Sequence, residues 1–253
     1  MSLQGRLAVV TAAGSGIGRA GAMILAREGA TVVVADLRPG AGEETARLIR
    51  EAGGRADAMP LDVTDDDACA RLIADTIARH GRIDILHSHA GIQVEGPLEQ
   101  VEPAGMDRSW QLNVRAHFVL SRLVVPHMRR QGRGSVIVTS SNSGVLIDRE
   151  MIAYATTKHA VVAMVRQMAL DHGPANIRFN ALCPGWVDTP FNDPFIRQMG
   201  GRDAIESYVK DKIPMGRWAR PEEIAEAILF LASDRSSFMT GQALVIDGGE
   251  SIP

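Results

Sequence analysis

The first 36 residues predict a strand–helix–strand unit whose first turn is rich in glycine. A buried strand at 7–11 leads into three glycines between Gly14 and Gly18, a helix at 16–29 and a second strand at 31–36. Glycines let a pyrophosphate approach the backbone, and the helix N-terminus attracts it through free N–H groups. The second strand ends in Asp36, which lies 22 residues beyond Gly14, close to the spacing of a carboxylate that binds a ribose diol. The pattern predicts a dinucleotide-binding site.

Strands and helices alternate along the whole chain. Strands are expected near 7–11, 31–36, 56–61, 83–89, 135–140, 177–183 and 243–246, and helices near 16–29, 41–52, 65–80, 104–130, 154–172 and 221–232. Because such alternation builds right-handed crossovers, we expect an α/β fold over residues 1–253: a single-domain, Rossmann-like, doubly wound parallel sheet with helices on both faces. The helix at 104–130 is expected to break around Asn113. The long irregular stretch at 186–218 is predicted to be a substrate lid.

Both tyrosines of the chain are followed by a lysine four residues later, as Tyr154–Lys158 and Tyr208–Lys212. Residues at that spacing share one face of a helix, and a nearby cation lowers the pKa of a phenol. Context favours Tyr154, because a buried strand runs into the polar loop at Ser141 just before it, and ligand sites lie where such strands end. Tyr208 is predicted to lie on a solvated helical face.

The chain resembles the short-chain dehydrogenase/reductase family over nearly its whole length. The motifs that carry the resemblance are Thr11-Ala12-Ala13-Gly14-Ser15-Gly16-Ile17-Gly18, Asp62-Val63, Ser88-His89-Ala90-Gly91, Leu112-Asn113-Val114, Ser141, Tyr154 with Lys158, and Pro184-Gly185-Trp186-Val187-Asp188-Thr189. The resemblance implies the catalytic residues Asn113, Ser141, Tyr154 and Lys158. It also implies a nicotinamide cofactor bound by Gly14, Ser15, Gly16, Ile17, Gly18, Asp36, Asp62, Val63, His89, Ala90, Gly91, Tyr154, Lys158, Pro184, Gly185, Val187 and Thr189.

The same resemblance implies a mechanism. In the oxidative direction Tyr154 takes the proton of a substrate alcohol while hydride passes from carbon to the nicotinamide. Ser141 binds the substrate oxygen, and Lys158 holds the nicotinamide ribose and keeps Tyr154 acidic. Asn113 is expected to position a water that links Lys158 to solvent.

Two departures from the family pattern stand out. Ala12 replaces the first motif glycine, which is tolerable if that residue has a negative φ. Ser88 and His89 replace both asparagines of the family's Asn-Asn-Ala-Gly motif, so the usual contacts there are in doubt. His87 and His89 share one strand face, but no third ligand is apparent, so packing and hydrogen bonding are favoured over a metal. The remaining histidines are expected on helix surfaces or ends, at positions 80, 117, 127, 159 and 172.

Asp36 also bears on the choice of cofactor. A carboxylate that binds the ribose hydroxyls repels a 2′-phosphate at the same position, so we expect NAD rather than NADP. Arg38 lies close enough to soften that preference, and Arg19 in the glycine-rich turn is a second cation that a phosphate could meet.

Composition excludes several other classes of protein. A formal net charge of −3 gives no electrostatic reason to expect nucleic acid or an anionic membrane as a partner. No apolar run approaches the roughly 20 residues of a membrane helix. The two cysteines, Cys69 and Cys183, are expected to be packing residues and fit a reducing cytoplasm.

The expected substrate is a small polar secondary alcohol or its ketone, such as a polyol, sugar or hydroxy acid. Gln93, Asn142, Ser143 and Trp186 are the predicted substrate-binding residues, with Glu95, Asp148, Arg149, Val145, Leu146 and Phe191 expected nearby. The alternatives are a reductase of a larger apolar carbonyl, a lyase, epimerase or dehalogenase on the same fold, and a non-catalytic nucleotide sensor.

Assembly is also predicted from apolar side chains. Two helices carry more of them than one sheet face needs, and the residues expected to be exposed are Val119, Leu123, Val161, Val165 and Met168. Relatives pair these helices between subunits, so we expect a homotetramer, with a homodimer as the alternative.

Overall fold

A seven-stranded parallel sheet forms the centre of the molecule, described by a computed structural model over residues 1–252. The strands are β1 Leu7–Thr11, β2 Thr31–Asp36, β3 Arg55–Pro60, β4 Ile85–Ser88, β5 Gly134–Thr139, β6 Ile177–Pro184 and β7 Ala243–Ile246. Their order is β3-β2-β1-β4-β5-β6-β7, so the direction of winding reverses between β1 and β4. Ligands of such folds bind at the carboxyl ends of the strands beside this reversal. The predicted fold class is confirmed.

Helices cover both faces of the sheet. They are α1 Gly16–Arg27, α2 Pro39–Glu51, α3 Asp66–His80, α4 Pro103–Trp110, α5 Ala116–Gln131, α6 Ile152–His172, α7 Asp193–Gln198, α8 Arg202–Lys212 and α9 Pro221–Ala232. One apolar core joins α3, α5 and α6 to the sheet, and the other joins α1, α2 and α9 to its opposite face. Burial on both faces explains why the central strands are continuous runs of valine, isoleucine and leucine.

The expected break near Asn113 is a single widened turn between α4 and α5. Residues Gln111–Arg115 form a π-helix, in which the amide of Ala116 donates to the carbonyl of Gln111. Such turns insert one extra residue into a helix and are frequent at functional sites. Here the turn carries Asn113, whose side chain is fully buried.

The segment 186–218 is not irregular as expected, since α7 and α8 occupy much of it. Ile205 and Val209 lie one turn apart on α8 and are buried together with Ile213. Trp186 and Trp218, at the two ends of the segment, pack against this cluster. The helical pattern was hard to detect because only two buried apolar residues of α8 lie among six charged residues.

The apolar residues expected on the surface are mostly core residues. Val119, Val161 and Val165 are 8%, 0% and 1% exposed, because these faces of α5 and α6 pack on the sheet. The exposed apolar side chains of the same region lie elsewhere on those helices and on α4. They include Trp110, Phe118 and Leu170.

Both cysteines are buried free thiols, as expected of packing residues. Burial raises the pKa of each thiol to about 11, which keeps the sulfur protonated near neutral pH. Within residues 1–252, no helix combines the length and apolar character needed to cross a membrane.

Candidate active site

A cavity of about 670 Å³ opens at the carboxyl ends of the strands. Many predicted site residues from distant parts of the chain line it together: Ser15, Gly16, Ile17, His89, Gly91, Gln93, Ser141, Asn142, Ser143, Tyr154, Lys158, Pro184, Gly185, Trp186, Val187 and Thr189. The other predicted residues lie outside its wall: Gly14, Gly18, Asp36, Asp62, Val63, Ala90 and Asn113. The glycine-rich turn and the tyrosine–lysine pair therefore share one cavity.

Tyr154 and Lys158 lie on the first two turns of α6, with the lysine ammonium 5.4 Å from the centre of the tyrosine ring. The Lys158 Nζ donates to the carbonyl of Thr139 at 3.2 Å, at the end of β5. Burial raises the pKa of Tyr154 to about 12 and lowers the pKa of Lys158 to about 8. In the protein alone, the expected lowering of the tyrosine pKa is thus wrong, because loss of solvation outweighs any help from the cation.

Ser141 follows β5 and lies beside Tyr154. Its Oγ donates to Asn142 Oδ1 at 3.1 Å and accepts from the amide of Ser143 at 3.2 Å. The neighbouring Ser140 Oγ donates to the carbonyl of Lys158 at 2.8 Å, which fixes the end of β5 against α6. Proximity of the Ser141 hydroxyl lowers the pKa of Tyr154, although burial has the larger effect.

Asn113 connects the π-turn to the cavity wall without lining it. Its Oδ1 accepts from the amide of Ile92 at 2.8 Å, and its Nδ2 donates to the carbonyl of Ile92 and to Thr157 Oγ1, each at 3.0 Å. These three bonds join Asn113 to Ile92 and to Thr157. The side chain acts as a clamp between the segment after β4 and helix α6.

The glycine-rich turn is held by the acid at the end of β2. Asp36 Oδ2 accepts from the amide of Gly14 at 2.8 Å, and its Oδ1 accepts from the amide of Arg38 at 2.9 Å. Arg19 points inward, donating to the carbonyl of Gly14 at 2.5 Å and to Thr45 Oγ1 at 3.0 Å. The outer cation is Arg38, which is exposed and lies 3.2 Å from Ser15 Oγ.

Ala12 has a φ of +50°, so the expected negative φ is wrong. This left-handed conformation suits the glycine that the family motif places there and strains alanine. The turn is also tightly packed, since a Cβ at Gly18 would lie 2.2 Å from the carbonyl oxygen of Ala12. Alanine at position 12 therefore stores strain in the turn that faces the cavity.

Asp62 occupies the position that the resemblance gives to an adenine contact. Its Oδ1 accepts from the hydroxyl and the amide of Thr64, at 2.7 and 2.8 Å. These bonds lower the pKa of the carboxyl and keep it ionised. They leave Oδ2 without a described partner in the protein.

Histidines replace the missing amides as a hydrogen-bonded cluster. His87 Nε2 and His89 Nδ1 each lie 2.9 Å from Thr139 Oγ1, and Ser88 Oγ lies 2.7 Å from His117 Nδ1. The expected hydrogen bonding is confirmed, but His117 is fully buried rather than on a helix surface. Burial lowers the pKa of all three rings, that of His89 to about 4, so the cluster is neutral.

Glu250 and Tyr208 are polar cavity residues that the sequence did not predict. Glu250 follows β7 and accepts hydrogen bonds from Trp186 Nε1, Tyr208 OH and Asn142 Nδ2, at 3.0, 3.1 and 2.8 Å. Tyr208 lines the cavity, so its expected place on a solvated face is wrong. No local pattern indicates either contact, because Glu250 lies 42 residues from Tyr208 and 108 from Asn142.

The outer wall of the cavity mixes polar and apolar side chains. Asp148, Arg149 and Phe191 line it as expected, whereas Val145, Leu146 and Glu95 lie outside it. Further apolar contacts come from Ile147, Met151, Phe195 and Met199.

Comparisons with known proteins agree with this geometry. The family model described as enoyl-(acyl carrier protein) reductase matches residues 11–251. The 3-oxoacyl-(acyl-carrier-protein) reductase of Thermotoga maritima is 36% identical over 252 residues, which cover 98% of this chain and 99% of that protein. The chain belongs to the short-chain dehydrogenase/reductase family and is an oxidoreductase of that family.

Solved structures with the same fold hold different cofactors. A gluconate 5-dehydrogenase from Burkholderia cenocepacia J2315, in complex with NADP and tartrate, is 34% identical with a TM-score of 0.93, covering 99% of this chain and 97% of that one. A 7α-hydroxysteroid dehydrogenase complexed with NADH and 7-oxo glycochenodeoxycholic acid is also 34% identical, with a TM-score of 0.91, covering 98% of this chain and 94% of that one. Neither the nucleotide nor the size of the substrate follows from family membership.

Proposed function

We propose that the protein is an NAD-dependent oxidoreductase that interconverts a secondary alcohol and a ketone on a small polar substrate. The convergence of Tyr154, Ser141 and Lys158 in one cavity with the glycine-rich turn carries the proposal. A bound nicotinamide would supply or accept the hydride. The turn at Gly14–Gly18, the N-terminus of α1 and the Pro184–Thr189 segment have the form needed to hold it.

The protein's own groups handle the proton. With its pKa raised by burial, Tyr154 is protonated at neutral pH and is ready to donate to a ketone oxygen; alcohol oxidation uses the reverse transfer. Ser141 hydrogen-bonds the same oxygen and orients it. Lys158 places a positive charge next to the phenol, so a developing phenolate is stabilised when the cavity is filled and water is excluded.

Kinetics with a panel of alcohols and ketones, followed by the absorbance of reduced nicotinamide, test this proposal. The wild-type protein should turn over at least one polyol, sugar or hydroxy acid, and Tyr154→Phe should lower kcat by about 10²–10⁴-fold. Turnover by Tyr154→Phe at the wild-type rate contradicts the site. Binding of nucleotide without turnover of any member of the panel favours the non-catalytic alternative.

The preference for NAD is supported by the position of Asp36. Its buried carboxylate lies at the end of β2, where the ribose of a bound nucleotide would meet it, and Arg19 is turned away toward Gly14 and Thr45. We expect kcat/KM to be at least tenfold higher with NAD than with NADP. Asp36→Ala should remove most of that difference, since Arg38 stays available to a 2′-phosphate. Equal efficiency of the wild-type protein with both cofactors contradicts the assignment.

A small polar substrate is supported by Gln93, Asn142 and Ser143 on the cavity wall. A site that hydrogen-bonds substrate hydroxyls rejects analogues that lack them. We expect polyols, sugars or hydroxy acids to exceed steroid-like and long acyl ketones in kcat/KM. If an apolar alcohol has a kcat/KM tenfold higher than every polyol, sugar and hydroxy acid (about 1.4 kcal/mol), the proposal of a small polar substrate is contradicted.

We also propose a homotetramer in the cytoplasm, with a homodimer as the alternative. Exposed Trp110, Phe118 and Leu170 on α4, α5 and α6 support contacts between copies of these helices. Two free thiols fit a reducing compartment. Light scattering at micromolar concentration should give four times the chain mass, and a stable monomer contradicts the assembly.

A further inference from the structure

Glu250 is an acid in the cavity that the proposed chemistry does not use. Its three hydrogen bonds come from three separate parts of the chain. The donors are Asn142 after β5, Trp186 after β6 and Tyr208 on α8. Oε1 accepts from Trp186 and Tyr208, while Oε2 accepts only from Asn142. A carboxylate offers about four lone-pair positions, so one on Oε2 remains for a donor from a ligand.

The cavity wall around Glu250 carries more negative than positive charge. Its acids are Asp148, Glu150 and Glu250, and its cations are Arg149 and Lys158. Asp148 is fixed by the Ser143 hydroxyl at 2.5 Å. Arg149 is exposed at the rim between two acids, and Lys158 is bound to Thr139 at the inner end. No cation of the described residues is therefore placed beside Glu250 to receive an anionic substrate group.

We propose that Glu250 is a specificity-determining residue, which accepts a hydroxyl of an uncharged polyhydroxy substrate and excludes substrates with a carboxylate at that end. This inference rests on the proposed function and narrows its substrate class from polyols, sugars and hydroxy acids to polyols and neutral sugars.

Two physical effects act in the same direction. A substrate carboxylate would face the like charge of Glu250 inside the cavity, where electrostatic repulsion is less screened than in bulk water. It would also lose its own hydration without gaining a donor, because the three donors near Glu250 are already used. A hydroxyl group instead donates to Oε2 and satisfies the remaining lone pair. Burial raises the pKa of Glu250, while its three donors favour the ionised form.

Equilibrium binding tests the inference independently of turnover. The probes are D-glucitol and D-gluconate, which differ in one terminal group, a hydroxymethyl against a carboxylate. Calorimetry with saturating reduced cofactor, whose nicotinamide ring is uncharged, gives both Kd values for the wild-type protein, Glu250→Gln, Glu250→Asp and the control Glu99→Gln. Glu99 is exposed and lies outside the cavity wall.

We expect the wild-type protein to bind glucitol at least tenfold more tightly than gluconate (about 1.4 kcal/mol). In Glu250→Gln the Kd values for gluconate and glucitol should differ by no more than threefold, mainly because gluconate binds more tightly. Glu250→Asp keeps the charge and should keep the discrimination, as should Glu99→Gln. Circular dichroism checks that each variant is folded. If Glu250→Gln is not, the Kd values of the wild-type protein and Glu250→Asp for the two ligands carry the comparison.

Three results overturn the inference. They are tighter binding of gluconate than glucitol by the wild-type protein, an unchanged ratio in Glu250→Gln, and no detectable binding of glucitol. Loss of discrimination in Glu250→Asp or Glu99→Gln also counts against it. Failure of the proposed function looks different, because it is the absence of turnover of every alcohol and ketone whatever the binding ratio.

Discussion

Neutral histidines in the core make the stability of this protein depend on acid pH, and His89 gives a measurable case. Its pKa is about 4, against about 6.5 for an exposed ring, because burial disfavours the charged form. The unfolded chain therefore binds a proton between pH 6.5 and 4 that the folded protein does not. The contribution of neutral His89 to folding stability is fully present above pH 6.5 and is lost as the pH falls from 6.5 to 4.

The shift sets the size of the effect. Below both pKa values the loss of stability from His89 is about 3 kcal/mol, and at pH 5 it is about 2 kcal/mol. His87 and His117 are shifted in the same direction, so their losses add to it. The replacement His89→Asn restores a family residue that does not titrate. It should lose about 2 kcal/mol less stability than the wild-type protein between pH 7 and pH 5.

Urea unfolding followed by circular dichroism, without cofactor, measures this difference. The quantity to compare is the change in unfolding free energy between pH 7 and pH 5, since the substitution also alters stability at neutral pH. The control is His172→Asn, which removes a histidine at the end of α6, outside the buried cluster. Identical pH dependence in His89→Asn and the wild-type protein refutes the reasoning.

Three further substitutions test other parts of the site. Ala12→Gly should raise the unfolding free energy by about 1 kcal/mol, because relief of the left-handed strain exceeds the added entropy of the unfolded chain; an unchanged or lower value by urea unfolding contradicts the strain. Tyr208→Phe should keep kcat within a few-fold of the wild-type value, whereas Tyr154→Phe should not. Equal losses of kcat in the two variants contradict the assignment of the active site to Tyr154. Asn113→Leu should cost at least about 2 kcal/mol, since it leaves the amide and carbonyl of Ile92 unpaired, and wild-type stability contradicts the clamp.

The fold was predictable because its signals are local. Runs such as Leu7–Thr11 and Thr31–Asp36 are apolar, short and bounded by glycine or polar residues, so their ends lie where the sequence places them. The strand expected at 83–89 is shorter, at Ile85–Ser88. Helix α8 was expected only as a solvated face around Tyr208. Its buried face was missed because it consists of two residues that pack with Trp186, which is distant in sequence.

The site was predictable in its motif residues but not in what surrounds them. The hydrogen bond between Asn142 and Glu250 joins residues 108 positions apart, and no periodic pattern in the sequence predicts such a contact. His117 on α5 is buried against the hydroxyl of Ser88 at the end of β4, a contact between residues 29 positions apart. The pKa of Tyr154 depends on how much water remains around it, which no spacing between tyrosine and lysine reports.

The uniform direction of the strands has a practical consequence for engineering. All functional loops leave from one edge of the sheet, so the turns at the amino ends of the strands are remote from the cavity. At Gly53, Gly81 and Gly132 the chain turns with positive φ, and no atom lies within 4 Å of where a side chain would begin. Inserted peptides, fusion partners or attachment to a solid support at these turns should leave the kinetic constants unchanged.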